Sequence, residues 1–266
     1  MFPKTIFLYD GSWNKALAIS EIVDYLKKKV GFHVEWREDL LSKLKISPPE
    51  TIQDIIFRLC SIRIRDIASQ TIGFKPLPGE LLYEEKTLYN PEKRVPGVLY
   101  EGFQLQQFYF SLIPEEEKTC SFIHIIFTNQ MFATWDKNDR RYHARASIYS
   151  FPCLISTTGL IEAPAKPREY YLKRQTGILP ETLREELKGR YLDYEDKRLT
   201  EVIKGYVMQA IFFHMTGNPF CENKDCRLYN AHWQEELIHA QLKTGNEFCK
   251  VHEEMVERLR TGNGEL

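Results

Sequence analysis

Cys221-Glu222-Asn223-Lys224-Asp225-Cys226 is followed, after 22 intervening residues, by Cys249-Lys250-Val251-His252. The pattern is C-x4-C, then C-x2-H. Three of the six cysteines and three of the seven histidines, His252 among them, fall within these 32 residues. Thiolate and imidazole are the ligands Zn2+ prefers, and four of them complete a tetrahedron. The four side chains therefore predict one closed, structural zinc site made of Cys221, Cys226, Cys249 and His252.

Upstream, the chain reads Ala210-Ile211-Phe212-Phe213-His214-Met215-Thr216-Gly217-Asn218-Pro219-Phe220-Cys221. This segment resembles the archaemetzincins, a family of zinc metallopeptidases. Their signature is HExxHxxGxxHC, then x4-C, then a downstream FC-x2-C. His214 stands at the second histidine and Gly217 at the turn glycine. Cys221 and Cys226 match the first pair of structural ligands. Phe248-Cys249 matches the FC, with His252 in place of the last cysteine.

The departures fall on the chemistry. Ala210 replaces the first histidine, Ile211 the glutamate base and Phe220 the third histidine. Leu228 lies where the family usually carries a methionine. Two histidines at i and i+4 share a helix face and can chelate a metal; a single His214 cannot. Without a carboxylate beside it, no base is positioned to take a proton from a bound water. The resemblance thus implies a metzincin-like fold with an eroded catalytic centre.

The rest of the chain reads as α/β. An apolar strand over 5–9, a turn at Asp10-Gly11-Ser12 with Ser12 as N-cap, a helix over 13–30 stopped by Gly31, and a strand over 32–36 predict a parallel β-α-β opening. Ser47-Pro48-Pro49-Glu50 predicts a helix start, with an apolar stripe through Ile52, Ile55, Ile56, Leu59, Ile62 and Ile67. Residues 73–96 carry four prolines and many charges and read as irregular, as a lid or flap. A helix is expected over 105–113, a buried strand over 121–127 and a hairpin around 136–141. A loop is expected over 155–167, including a stiff Ala163-Pro164-Ala165-Lys166-Pro167. Helices should then cover 180–189, 194–215, 231–243 and 247–259. These elements predict a single α/β domain over 1–266 with a mixed sheet, flanking helices and a helical zinc-binding subregion over 214–262.

Composition excludes several classes. Thirty-six basic and 37 acidic residues leave a net charge of -1, which does not predict a nucleic acid or an anionic membrane as partner. No apolar run approaches the ~20 residues of a membrane helix. The N-terminal stretch is too short in apolar length for the core of a signal peptide. A soluble, cytoplasmic protein is the expectation. Cys60, Cys120 and Cys153 are isolated and are expected as buried free thiols.

If 231–243 is helical, His232, Glu236 and His239 share one face. That face is either a solvated helix side or, joined by His214, a relocated site of His214, His232, Glu236 and His239, with His214 and Glu236 as candidate catalytic residues. His124 and His143 read as satisfied core or surface histidines. Lys27-Lys28-Lys29 reads as a solvated helix end. Two functions remain open. One is a zinc-binding protein, inactive as a peptidase, that binds a peptide or protein partner. The other is a zinc hydrolase with a rearranged site and a second zinc on His214, His232 and His239. A third possibility is that the knuckle only staples the fold and the function lies in 73–96.

Overall fold

The computed structural model describes residues 3, 5–42, 44 and 48–261. Ser47, residue 262 and most of the first four residues lie outside these. The architecture is mixed α/β. Its residues group into two compact units, 1–15 with 32–159 and 16–31 with 160–266.

The first unit holds both sheets. Strands β1 (Thr5–Gly11), β2 (His33–Glu38), β4 (Phe122–Thr128) and β8 (Cys153–Ser156) run parallel, and β7 (Ser147–Ile148) pairs antiparallel to β8. The order is β2-β1-β4-β8-β7, so β2 is an edge strand. Both alternating sets of β1, Ile6 with Leu8 and Phe7 with Tyr9, are buried, as a sheet covered on both faces requires. A smaller sheet, β3-β5-β6, joins β3 (Leu99–Glu101) in parallel to β5 (Met131–Asp136) and closes the expected hairpin with β6 (Arg141–Arg145).

The core of this unit gathers Phe7 and Tyr9 of β1, Leu59 of helix α2 (Pro49–Ser61), Leu88 of α3 (Pro78–Tyr89), Tyr109 of α4 (Gly102–Ser111) and Ile126 of β4. His124 belongs to this core. Its Nδ1 lies 2.9 Å from the Tyr9 hydroxyl, and its ring stacks on Tyr9. His143 pairs with Asp139 at 2.9 Å across the hairpin turn.

Several expectations fail for identifiable reasons. Residues 13–18 are not helical: α1 spans Ile19–Val30, its N-cap is Ala18 rather than Ser12, and Trp13 sits at φ 49. Ile67 lies beyond the end of α2 and is exposed. Residues 73–96 are not irregular, because α3 occupies their middle. Its proline falls at the helix start, where no N–H is needed. The Glu80 carboxylate then accepts the Leu77 N–H at 2.8 Å. Residues 155–167 contain the end of β8 and a short helix α5 (Thr157–Glu162). Cys60 and Cys153 are buried, but Cys120 is exposed.

The second unit is helical. It contains α1, α6 (Arg168–Gln175), α7 (Pro180–Glu186), α8 (Leu199–Thr216), α9 (Gln234–Ile238) with a π-helical continuation His239–Lys243, and α10 (Lys250–Thr261). Helix α1 packs on α8 and α10, and Gly31 ends it at φ 71 with the Arg260 carbonyl 3.2 Å from where a Cβ would sit. Lys29 is not simply solvated: it pairs with Glu247 and lies 5.6 Å over the Phe248 ring.

Helix α3 carries a buried charge into the first unit. Glu84 Oε1 accepts from Arg63 at 2.6 and 2.9 Å and from the Tyr100 hydroxyl at 2.6 Å. Removing one partner of a buried pair strands the other charge. Glu84→Gln should therefore lower the unfolding free energy by about 3 kcal/mol in urea titrations. The exposed neighbour Glu85→Gln should stay within about 0.5 kcal/mol of the parent.

Candidate metal centre

The C-terminal end of α8 leads into the site. Gly217 ends the helix at φ 77, a conformation that needs no Cβ, and its N–H returns to the Phe213 carbonyl at 2.8 Å. The chain then forms a tight knuckle. Cys221 N–H donates to the Leu228 carbonyl at 3.0 Å, Cys226 N–H to the Asn223 carbonyl at 3.0 Å, and Asn223 N–H to Cys221 Sγ at 3.4 Å. These bonds set two sulfurs on one side of a small loop.

The other pair comes from the start of α10. Glu253 N–H donates to the Cys249 carbonyl at 2.9 Å, so Cys249 caps the helix and His252 occupies its first turn. A helix N-terminus favours negative charge, which suits a thiolate there. The ring of Phe212 on α8 stands edge-on to His252 with centroids 5.2 Å apart.

All four ligand atoms lie within 4.8 Å of one another. Cys221 Sγ is 3.9 Å from Cys249 Sγ. His252 Nδ1 is 3.1 Å from Cys249 Sγ and 3.7 Å from Cys226 Sγ. Bonds of ~2.3 Å to sulfur and ~2.0 Å to nitrogen at tetrahedral angles give edges of roughly 3.5–3.8 Å, which these separations straddle. Among the described residues, this is the group of three or more His, Cys, Asp or Glu side chains that could hold a metal ion. Cys226 is buried and the other three are half-buried, so all four positions of a tetrahedron are filled by protein.

Electrostatics support a cation. Burial, with the neighbouring thiols, pushes Cys226 up to about 12 and also raises Cys221; burial lowers His252. Thiols packed this closely resist ionising together unless a positive charge joins them. Backbone N–H groups of Cys249 and Leu228 point at the Cys226 sulfur and favour its thiolate.

The relocated site does not assemble. Residues 231–233 are extended, because Ala165 takes their backbone: its N–H donates to the His232 carbonyl and its carbonyl accepts from Gln234 N–H, both at 2.8 Å. His232 is thus off the helix. Glu236 caps α9 by accepting the N–H groups of His232 and Trp233 at 3.1 and 3.2 Å. His239 Nε2 lies 2.6 Å from Asp225 Oδ1. His214 sits half-buried in the last turn of α8 and joins no metal-ligating group with these residues. At the positions of the first histidine and the glutamate base, Ala210 and Ile211 are 2% and 0% exposed.

Sequence reading missed Arg227. It follows ligand Cys226 and is 4% exposed. Its guanidinium pairs with Glu201 of α8 and, at 3.2 Å, with Glu247 just before Cys249; its N–H bonds the Glu247 carbonyl at 2.7 Å. The Gln241 amide returns to the Arg227 carbonyl at 2.8 Å. Arg227 therefore ties the knuckle to the segment carrying the other two ligands. Groups of this kind typically change metal affinity by about 10–100-fold. Arg227→Met should weaken metal binding at this site by about tenfold or more in competition with a chromophoric chelator, with all four candidate ligands still present.

No curated protein and no solved structure matches the chain. A family model described as "Probable metallopeptidase family (DUF6775)" matches residues 2–259. On that near-complete match, the chain belongs to this probable metallopeptidase family.

Proposed function

We propose that this chain is a zinc-binding, archaemetzincin-like member of its family, inactive as a peptidase, that binds a peptide or protein partner. The observation that carries the reading is the contrast along one stretch of chain. The Cys221, Cys226, Cys249 and His252 atoms gather within bonding reach of one ion, while Ala210 and Ile211 put buried apolar groups where a catalytic helix would place histidine and glutamate. Zinc held by these four residues would supply folding free energy and leave no open position for a substrate. The engagement of His239 with Asp225 and of Glu236 with backbone supports this reading over a rearranged hydrolase. The reduced thiolates it requires suit the cytoplasm.

Purified protein should contain about one zinc per chain, as expected for a four-ligand structural site. It should release no fragments from a denatured protein substrate with or without a chelator. Cys221→Ser and Cys249→Ser should each lose the zinc and disorder the end of the second unit, read by elemental analysis and circular dichroism. Chelator-sensitive peptide hydrolysis, or unchanged zinc and circular dichroism in both variants, would contradict the reading.

A further inference from the structure

The three cysteines of the metal centre are not equivalent. Cys226 is fully buried, and backbone N–H groups of Cys249 and Leu228 point at its sulfur. Cys221 and Cys249 are half-buried. Residues 222–225 beside the first and 250–251 beside the second are exposed, so solvent reaches both from the chain that flanks them. Their sulfurs lie 3.9 Å apart. The two thiols that an oxidant can reach are therefore also near neighbours.

Cysteine oxidises as its thiolate, and only where the oxidant has access. A bound metal holds its sulfur ligands in the thiolate form at neutral pH. Burial withholds Cys226 from attack, which leaves Cys221 and Cys249. Their sulfurs need to close by about 2 Å to reach a disulfide bond of ~2.05 Å, and a change of χ1 rotamer carries a sulfur further than that. The bond would join the loop after α8 to the start of α10, the same two segments that the ion would join. A bond between Cys221 and Cys226 would only close the knuckle on itself.

We propose that Cys221 and Cys249 form a reversible oxidation site, at which hydrogen peroxide makes a disulfide, frees the metal and leaves the two segments cross-linked. This rests on the structural-zinc reading above and goes beyond it, because the staple becomes redox-sensitive. One thiolate of the pair attacks the peroxide: an S–O bond forms, the O–O bond breaks and hydroxide leaves. The other thiolate attacks that sulfenic sulfur: the S–S bond forms, the S–O bond breaks and a second hydroxide leaves. Two electrons pass from the sulfurs to the peroxide, and both hydroxides take protons from solvent to become water. Cys226 and His252 then remain, where a structural zinc site needs four ligands. A thiol reductant reverses the bond by exchange. In a reducing compartment such a bond is transient, as redox sensing requires.

The test uses the full zinc-loaded chain carrying Cys120→Ser, which removes an exposed thiol that would consume oxidant. Hydrogen peroxide is added in slight excess, and zinc release is followed with a chromophoric chelator. Trypsin cuts after Lys204, Lys224, Arg227, Lys243 and Lys250, so the three cysteines fall in separate peptides, 205–224, 225–227 and 244–250. About one zinc per chain should be released, with 205–224 cross-linked to 244–250. A dithiol with added zinc should reverse both changes. Circular dichroism of the oxidised chain should stay near that of the zinc-loaded chain, while the reduced chain stripped by a chelator should lose helical signal. Zinc that stays bound with its thiols unmodified overturns the proposal. So does a cross-link that includes 225–227, or an oxidised chain as disordered as the stripped one. Peptide hydrolysis by the untreated chain would instead strike the inactive-peptidase reading and leave this comparison standing; a chain isolated without zinc strikes both.

Discussion

Four side chains converging on a volume that a metal ion could occupy are the constraint on which the account of the second unit depends. Cys221 and Cys226 leave a loop after α8, and Cys249 and His252 open α10. Without an ion, three thiols and an imidazole crowd one another in a partly buried space, and burial resists ionisation of Cys221, Cys226 and His252. With an ion, the same crowding becomes a staple across a gap of 22 residues. The surrounding bonds are directed at that staple: Phe212 steers His252, Arg227 links the two ligand-bearing segments, and Lys29 of α1 covers Phe248 beside Cys249.

Under the proposed function, the metal site would let the chain keep a metallopeptidase framework without its chemistry. Catalytic zinc needs an open coordination position and a base; structural zinc needs closure. Here the closed set is complete. On that proposal, the helix that would carry the open one is apolar there, with Ala210 and Ile211 in its buried face. A fold stabilised at one end by metal can lose catalysis and remain stable.

What the sequence made legible was local. The C-x4-C and C-x2-H pairs, the β-α-β opening and the β5–β6 hairpin are each written in short contiguous patterns, and the structure brings the two pairs together, sets β1 parallel to β2 and closes the hairpin. What it concealed depended on partners far away. The 231–243 segment has helical composition, yet Ala165 captures its first residues as an extended pair. Prolines and charges in 73–96 suggested an irregular lid or flap, but Glu84 of that segment is buried against Arg63 and Tyr100. Arg227 carried no signal in the sequence; its role appears only when residues 201 and 247 come to it.

The most direct measurement is X-ray absorption at the zinc edge of the purified protein. The account predicts a single environment of three sulfurs at ~2.3 Å and one nitrogen at ~2.0 Å. A zinc surrounded only by nitrogen and oxygen, or a spectrum without sulfur as the majority scatterer, would contradict it.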